Sequence, residues 1–303
     1  MASLASHWEA SEPSALALVI DLARLPTHDS TNRLNDALVF LNAYHAYSRR
    51  NKLILYAALQ NQAKLLWPNQ TQDPATSAPP NTLQPNIKAA FQQVLSHTHE
   101  NSQHQSSENQ QHENGENQQH IGTNKMAACI ALAVCRLQRL ARANPRLQSR
   151  LLVIQSCEDD PAQYLAIIDT AFAAKKLGIT ADVVCLRPLV NSVSLQQLSQ
   201  LTGGLYFGSD ETTESALSHL LISCLLPDQY HRRRFLQRPA QAKVDTRGLC
   251  SITREPVSIG YACSVCLAVF NKNTILECPI CGTRFALPKL VGKLTKKKQK
   301  TSS

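Results

Sequence analysis

Two CxxC pairs near the C-terminal end constrain this chain more than any other feature. Each pair can present two thiolates to one side of a tetrahedral ion, and eleven residues separate Cys266 from Cys278. Zinc accepts four thiolates without a redox cost, and full thiolate occupancy leaves no position for a water molecule. We therefore predict a structural zinc ion and not a catalytic one. The predicted ligands are Cys263, Cys266, Cys278 and Cys281.

Other interpretations of the cysteines are weaker. Unliganded thiols or a redox pair are disfavoured because two CxxC pairs at this separation seldom arise by chance. Cys250 lies thirteen residues upstream of Cys263 without a CxxC mate, so we leave it outside the ligand set and keep it as the alternative ligand. Five further cysteines lie in apolar stretches and are predicted to be small buried side chains. They are Cys129, Cys135, Cys157, Cys185 and Cys224.

The start of the chain shows no targeting segment. Residues 1–13 lack the apolar core of a secretory signal, and no apolar run approaches the roughly 20 residues that span a bilayer. We expect a protein of the cell interior, where paired cysteines bind metal more often than they form disulfides.

Strands and helices alternate along most of the chain. Residues 15–21 (ALALVID) form a continuous apolar run, typical of a strand buried on both faces in a parallel sheet. Apolar residues recur at helical spacing over 32–47, and a second apolar run covers 52–59. The run 63–67 predicts an antiparallel edge strand. Later strands are predicted at 151–157, 181–186 and 205–207, and later helices at 161–177, 195–201 and 213–226. This alternation predicts an α/β fold with a doubly wound, mostly parallel sheet.

A polar insert interrupts this pattern at about residues 97–122. His97–His120 contains no aliphatic or aromatic hydrocarbon side chain, so it has no apolar area to bury against the entropy cost of ordering. We predict a disordered surface loop. The insert holds five of the ten histidines, but their irregular spacing favours a solvated loop over a metal site.

Charge is distributed unevenly along the chain. Residues 1–230 carry 16 Lys or Arg and 19 Asp or Glu, a net charge of −3, whereas residues 231–303 carry 15 and 3, a net charge of +12. The basic residues include His231–Arg234 and six lysines in Lys289–Lys300. A charge run is most often a solvated face, but this composition also fits a nuclear-import signal or a contact with nucleic acid.

Asp21 is the strongest candidate for chemistry outside the cysteines, because a carboxylate that ends the first strand lies where this fold class binds ligands. A metal site there would need oxygen ligands two and four residues on, where the chain has Ala23 and Leu25. The acidic cluster 158–160 directly precedes Pro161 and is predicted to cap a helix. No P-loop, GxGxxG, GxSxG or HExxH motif occurs. The sequence therefore predicts no catalytic residues.

Several segments resemble a known family. They are ALALVIDLARLP near the start, LYFG after the double glycine, VDTRGLC, and IGYACSVCLAVF followed by ECPICGTRF. They are similar to the Tfb-four-type core subunits of TFIIH, proteins of about thirty-four kilodaltons with a von Willebrand A domain and a C-terminal zinc finger. The resemblance covers nearly the whole chain except the polar insert, and IGYACSVCLAVF is its most specific segment.

The resemblance implies a von Willebrand A-like fold and a non-enzymatic role in the nucleus. Family members act in transcription initiation by RNA polymerase II and in nucleotide excision DNA repair. The implied partner is the RING-like zinc domain of a sister von Willebrand A subunit, together with other TFIIH core subunits. Neither a membrane nor a small-molecule substrate is implied.

Two departures from the family patterns limit the metals expected here. Magnesium-binding von Willebrand A domains carry DxSxS after the first strand, whereas residues 21–25 read DLARL and lack both hydroxyl ligands. We therefore expect no magnesium at Asp21. Some family members carry extra Cys and His near the position of Cys250, where this chain continues with residues 251–253 (SIT). A second metal in the C-terminal module is therefore not expected.

These arguments predict two domains with flanking segments. The von Willebrand A-like domain covers residues 13–238, the four-cysteine zinc module covers 245–290, and they are flanked by an N-terminal extension, 1–12, and a basic tail, 291–303. Scaffolding is the predicted function. The alternatives are a zinc-ribbon protein that contacts DNA through its basic C-terminal part and, less favoured, a metal hydrolase centred on Asp21.

Overall fold

The computed structural model describes residues 13–22, 27–48, 50–67, 89, 125–156, 160–186, 192–208, 217–234, 236, 244, 246–253, 255–272 and 276–285. The chain divides into two compact units, Met1–Val244 and Asp245–Ser303. Four predicted features lie outside the described residues: the extension 1–12, the polar insert at 97–122, Glu158 with Asp159, and the tail 291–303. No helix in the described ranges is long and apolar enough to cross a bilayer.

The first unit is built on a six-stranded sheet with the order β3-β2-β1-β4-β5-β6. Five strands run parallel, and β3 is antiparallel to β2 at one edge, as predicted. Because the strand order reverses direction at β1, the predicted doubly wound, mostly parallel sheet is confirmed. The strands are β1 (Ser14–Asp21), β2 (Lys52–Ala58), β3 (Ala63–Trp67), β4 (Gln148–Gln155), β5 (Thr180–Cys185) and β6 (Tyr206–Phe207).

The helices cover both faces of this sheet. They are α1 (Thr27–Tyr47), α2 (Met126–Ala143), α3 (Tyr164–Lys176), α4 (Val193–Thr202), α5 (Leu217–Leu220) and α6 (Gln229–Arg234), with a 3₁₀ turn at Pro161–Gln163 and a π-helical turn at Leu221–Leu225. Side chains of α1, α5 and the π turn pack on one face, and side chains of α2, α3 and α4 pack on the other.

Strand β1 lies at the centre of the sheet, and all eight of its residues are buried. Successive side chains of a strand point to opposite faces. Leu16 and Leu18 therefore join the core on the α1 side, whereas Ala17 and Val19 join the core on the α2 side. Burial on both faces explains why the strand is apolar at nearly every position.

Helix α2 was not predicted from the sequence. It begins directly after the polar insert, and its buried side chains recur three or four residues apart, as in Met126, Ile130, Ala133 and Leu137. The predicted helix over 213–226 is described only from Leu217, and it changes to a π-helical turn after Leu220.

The double glycine ends α4 and allows a close approach to β5. Gly203 adopts a left-handed conformation with φ of 74°, as glycines that end helices commonly do. Gly204 is required for another reason, because a Cβ at that position would lie 1.9 Å from the carbonyl oxygen of Ala181. The pair therefore sets the start of β6 beside β5.

The second unit contains only short strands. Strands β7 (Gly248–Leu249) and β8 (Pro256–Val257) form one antiparallel pair, and β9 (Tyr261–Ala262) and β10 (Val269–Phe270) form another. Phe270 is buried and makes an edge-to-face contact with Phe285, with ring centroids 6.4 Å apart. These elements frame the four cysteines.

Candidate metal centre and the charged groups of the α/β unit

The first cysteine pair lies in the turn between β9 and β10. The backbone N–H of Cys263 donates to Ala268 O at 2.9 Å, and the N–H of Leu267 donates to Cys263 O at 3.0 Å. These bonds close a tight loop in which the N–H of Val265 points at Cys263 Sγ, 3.5 Å away. The Cys263 sulfur can therefore accept a hydrogen bond from this backbone N–H.

The second pair repeats this geometry. The N–H of Cys278 donates to Thr283 O, and the N–H of Gly282 donates to Cys278 O, both at 2.8 Å. Gly282 has a φ of 70°, a left-handed conformation that glycine adopts without steric cost. Leu267 occupies the equivalent position of the first loop with a φ of 61°, and it is the only non-glycine residue with positive φ in the described ranges. A leucine is therefore held there in a conformation that favours glycine.

The two loops bring four sulfurs together. Cys263 Sγ lies 3.7 Å from Cys281 Sγ, and Cys266 Sγ lies 3.6 Å from Cys278 Sγ. All four sulfurs lie within 4.8 Å of one another. A tetrahedral zinc ion with bonds of about 2.3 Å separates its sulfurs by about 3.8 Å. The cluster therefore has the donor set and the spacing of a site that could hold a metal ion, consistent with zinc.

Local hydrogen bonds favour the thiolate form of two of these cysteines. Backbone N–H groups at Cys266 and Val265 lower the pKa of Cys263 below its ordinary value. The Thr283 side chain and backbone lower the pKa of Cys281 to about 6. Cys266 differs, because burial and the neighbouring thiols outweigh the Ala268 N–H and raise its pKa to about 12. A metal cation bound among the four sulfurs would favour deprotonation of the remaining thiol in such a cluster.

Cys250 lies outside the cluster. It is buried, and its N–H donates to Glu255 O at 2.9 Å. Although burial opposes it, hydrogen bonds from Thr253, Ile252 and Asn271 lower its pKa to about 7. Among the described residues, the group that could hold a metal ion consists of the other four cysteines alone.

Asp21 and Asp160 take the positions expected from the sequence. Asp21 is fully buried at the carboxyl end of β1, where its Oδ2 accepts the backbone N–H of Ser156 at 3.3 Å. Asp160 Oδ1 accepts the N–H of Ala162 at 2.9 Å at the start of the 3₁₀ turn. The predicted capping role is therefore confirmed for Asp160.

The basic run 231–234 is not a wholly solvated face, which corrects the interpretation favoured from the sequence. It lies within α6, and Arg232 is buried with two hydrogen bonds to Asp182, each of 2.8 Å. Arg150 also reaches Asp182, at 3.5 Å, and donates to Leu225 O at 2.5 Å. We name these three residues, Arg150, Asp182 and Arg232, the buried charge cluster. It links β4, β5 and α6.

Sequence reasoning missed this cluster, although two signals were present. Asp182 is a single acid inside the apolar strand β5, and Arg150 is a single base just before the apolar end of β4. An isolated charge in a buried strand is rarely tolerated without a partner. The two strands pair in parallel and place these residues on one face.

The prediction for the other cysteines is partly wrong. Cys129 and Cys185 are buried as expected, but Cys135 is exposed on α2 and Cys224 is half-buried. Cys157 lies outside the described residues. Cys135 and Cys129 are six residues apart on one helix, so they face different sides of it.

Comparison with known proteins identifies the family. The sequence model of the family described as Transcription factor Tfb4 matches residues 14–282, which is most of the chain. This chain belongs to the Tfb4 family. The family resemblance inferred from the sequence segments is thereby confirmed. The match runs through both compact units and ends just beyond the fourth cysteine of the cluster.

Similar proteins cover most of the same length. General transcription factor IIH subunit 3 of Dictyostelium discoideum is 28% identical over 273 residues, covering 84% of this chain and 68% of that protein. General transcription and DNA repair factor IIH subunit tfb4 of Schizosaccharomyces pombe is 25% identical over 300 residues, covering 95% of this chain and 96% of that protein. The shared region is therefore nearly full-length for the Schizosaccharomyces pombe protein and about two thirds of the Dictyostelium discoideum protein.

A solved structure supports the fold. The crystal structure of the TFIIH p34 N-terminal domain is similar over 70% of this chain and 97% of its own, with a TM-score of 0.54 and 18% identity. At that identity the likeness concerns the fold alone. With the observed strand order, it confirms the predicted von Willebrand A-like α/β class of this Tfb4 family member.

Proposed function

We propose that this chain is a non-catalytic structural subunit of the TFIIH core, acting in the nucleus in transcription initiation by RNA polymerase II and in nucleotide excision repair. The observation that carries the proposal is the Tfb4 family match over residues 14–282, which spans the α/β unit and the cysteine cluster together. The similar proteins, a subunit of general transcription and DNA repair factor IIH among them, support the same role.

In this proposal, the α/β unit binds the RING-like zinc domain of the sister von Willebrand A subunit. Helices α2 and α3 pack against each other on one face of the sheet. Each exposes a large apolar side chain, Leu132 with 46% and Phe172 with 55% of its surface in solvent. Exposed apolar groups on adjacent rigid helices offer a pre-formed docking surface that needs little rearrangement on binding.

The zinc module has a separate structural role. Cys263, Cys266, Cys278 and Cys281 hold one zinc ion, and the metal stabilises the short strands around it. The four sulfurs fill a tetrahedral shell, so no position is open for substrate or water. This proposal assigns the chain no reaction at the metal.

The proposal also assigns no chemistry to Asp21. Its buried carboxylate is followed by Ala23 and Leu25 in place of the hydroxyl residues that magnesium-binding relatives of this fold carry. Replacing Asp21 by Asn preserves its size and removes its charge. Such a variant is therefore expected to assemble normally.

Co-expression with the sister subunit's zinc domain tests the proposal. A fragment ending at residue 244 should capture that domain as well as the full chain does, and Asp21→Asn should not change capture. Leu132→Asp with Phe172→Asp should abolish it, because two desolvated carboxylates would oppose an apolar contact. Val39→Asp is the matched control, since Val39 has 48% of its surface in solvent but lies on α1.

One result would overturn this assignment. If only chains that contain Cys263–Cys281 captured the sister domain, the docking surface would belong to the zinc module. Capture that survived in the doubly substituted variant would likewise move the contact away from α2 and α3.

A further inference from the structure

A cleft at the amino-terminal edge of the sheet has a composition unlike the rest of the α/β unit. It has a volume of about 630 Å³ and lies between the end of α2, the first residues of β4 and β5, and α6. Four arginines line it, at positions 150, 232, 233 and 234, and none of its described lining residues is acidic. The α/β unit, residues 1–244, carries 21 Lys or Arg and 19 Asp or Glu, so without these four arginines its net charge would be −2.

The inner wall carries an excess of positive charge. In the buried charge cluster, two guanidinium groups share the single carboxylate of Asp182. Other N–H groups of Arg232 donate to Pro227 O at 2.8 Å and Leu225 O at 3.0 Å. Because these arginines are already hydrogen-bonded to the protein, they would act on a ligand mainly through their fixed positive charge and less as hydrogen-bond donors.

The rim supplies mobile donors. Arg233 and Arg234 are exposed at the last turn of α6, next to the buried Arg232. Each guanidinium can donate two parallel hydrogen bonds to one carboxylate. A carboxylate that enters the cleft would therefore meet donors at the rim and a positive field behind them.

We propose that the cleft binds an acidic peptide segment of a partner protein. The arginines receive its carboxylates, and Ala141, Leu147 and Leu177 form an apolar wall for neighbouring side chains. Carboxylate recognition by clustered arginines beside apolar pockets is a common mode of peptide binding. A DNA duplex fits less well, because its phosphates lie on a convex rod and cannot enter a cleft as a side-chain carboxylate can.

Binding of a labelled peptide to the full chain tests this proposal. The probe is a fluorescein-labelled peptide of Glu, Asp and Leu, and its matched control replaces Glu and Asp by Gln and Asn. Fluorescence anisotropy at about 0.1 M salt gives Kd for both. Arg233→Glu/Arg234→Glu should weaken binding of the acidic peptide by about tenfold or more, because attraction becomes repulsion.

A control variant separates the cleft from overall charge. Arg50→Glu/Arg284→Glu changes the net charge by the same amount at two exposed arginines outside the cleft, and it should leave Kd unchanged. If the double Glu variant of α6 melts early, Arg233→Gln/Arg234→Gln replaces it, with the same expected direction.

Three results would overturn the proposal. The first is equal binding of the acidic and the amide peptide. The second is an equal loss of peptide affinity in the cleft variant and the control variant. The third is a labelled DNA duplex that binds more tightly than the peptide and loses affinity when Arg233 and Arg234 are substituted. The last result would assign the cleft to nucleic acid.

Discussion

The two compact units of this chain differ in the interactions that can stabilise them. In the α/β unit, two apolar clusters cover the two faces of a six-stranded sheet. Among the described residues of the C-terminal unit, every strand has two residues, and seven large apolar side chains are exposed, among them Ile259, Val265 and Ile280. A module this small cannot bury enough apolar surface to fold on that basis. A metal ion bound by the four cysteines would supply the stability that a larger apolar core provides elsewhere.

Removing the metal should give the largest effect and should separate the two units. We expect about one zinc per chain in the wild type and none in Cys263→Ser/Cys278→Ser, measured by elemental analysis. Structural zinc sites contribute on the order of 10 kcal/mol to folding of small modules, so the C-terminal unit should lose its structure. Cys129→Ser/Cys185→Ser, at two buried cysteines outside the cluster, should retain the zinc. Full zinc content in the first variant would show that the ligand assignment is wrong.

Breaking the buried charge cluster should give the next largest effect, and only in the α/β unit. Asp182→Ala leaves two buried guanidinium groups without their carboxylate, which costs roughly 3–5 kcal/mol. The matched control is Glu277→Gln, which removes an exposed pair with Arg284 at 3.9 Å and should cost less than about 1 kcal/mol. Urea unfolding of the full chain measures both, with the α/β unit followed for Asp182→Ala and the C-terminal unit, which contains Glu277, followed for Glu277→Gln. Similar losses in the two variants would refute the distinction between buried and exposed pairs.

The same carboxylate predicts a pH dependence. Burial works to raise the pKa of Asp182, but Arg232 and then Arg150 outweigh it and hold the pKa below the ordinary value of 3.8. A carboxyl with a lowered folded pKa stabilises the fold above its unfolded pKa, and the contribution is lost as pH falls through the folded value. The free energy of unfolding should therefore decrease below about pH 4, and it should decrease less steeply in Asp182→Asn. Parallel curves would contradict this role for Asp182.

The smallest predicted effect concerns the two cysteine loops. Leu267 and Gly282 have the same left-handed conformation, at φ of 61° and 70°. A residue with a Cβ costs about 1 kcal/mol or more there relative to glycine. Leu267→Gly should therefore raise the stability of the zinc module by about 1 kcal/mol, and Gly282→Ala should lower it by a similar amount. Competition with a chelator measures both, and a loss of stability in Leu267→Gly would show that its side chain packs in the module.

The sequence predicted those parts of the structure whose signal lies within a few neighbouring residues. The apolar run of β1 and the two CxxC pairs each show their role within a few residues. The buried charge cluster does not, because Asp182 finds Arg232 fifty residues away, and only the sheet and α6 bring them together. Helix α2 is different, because its apolar residues recur at helical spacing within the segment itself, so a local signal was present beside the polar insert and was missed.

Hydrogen–deuterium exchange of the full chain, before and after chelation of the metal, tests the two-unit account most directly. Chelation should remove protection from the amides of β9 and β10 and leave those of β1 and β4 unchanged, because the sheet is held by its own apolar faces. Loss of protection in β1 and β4 together with β9 and β10, or protection unchanged in all four strands, would contradict the account.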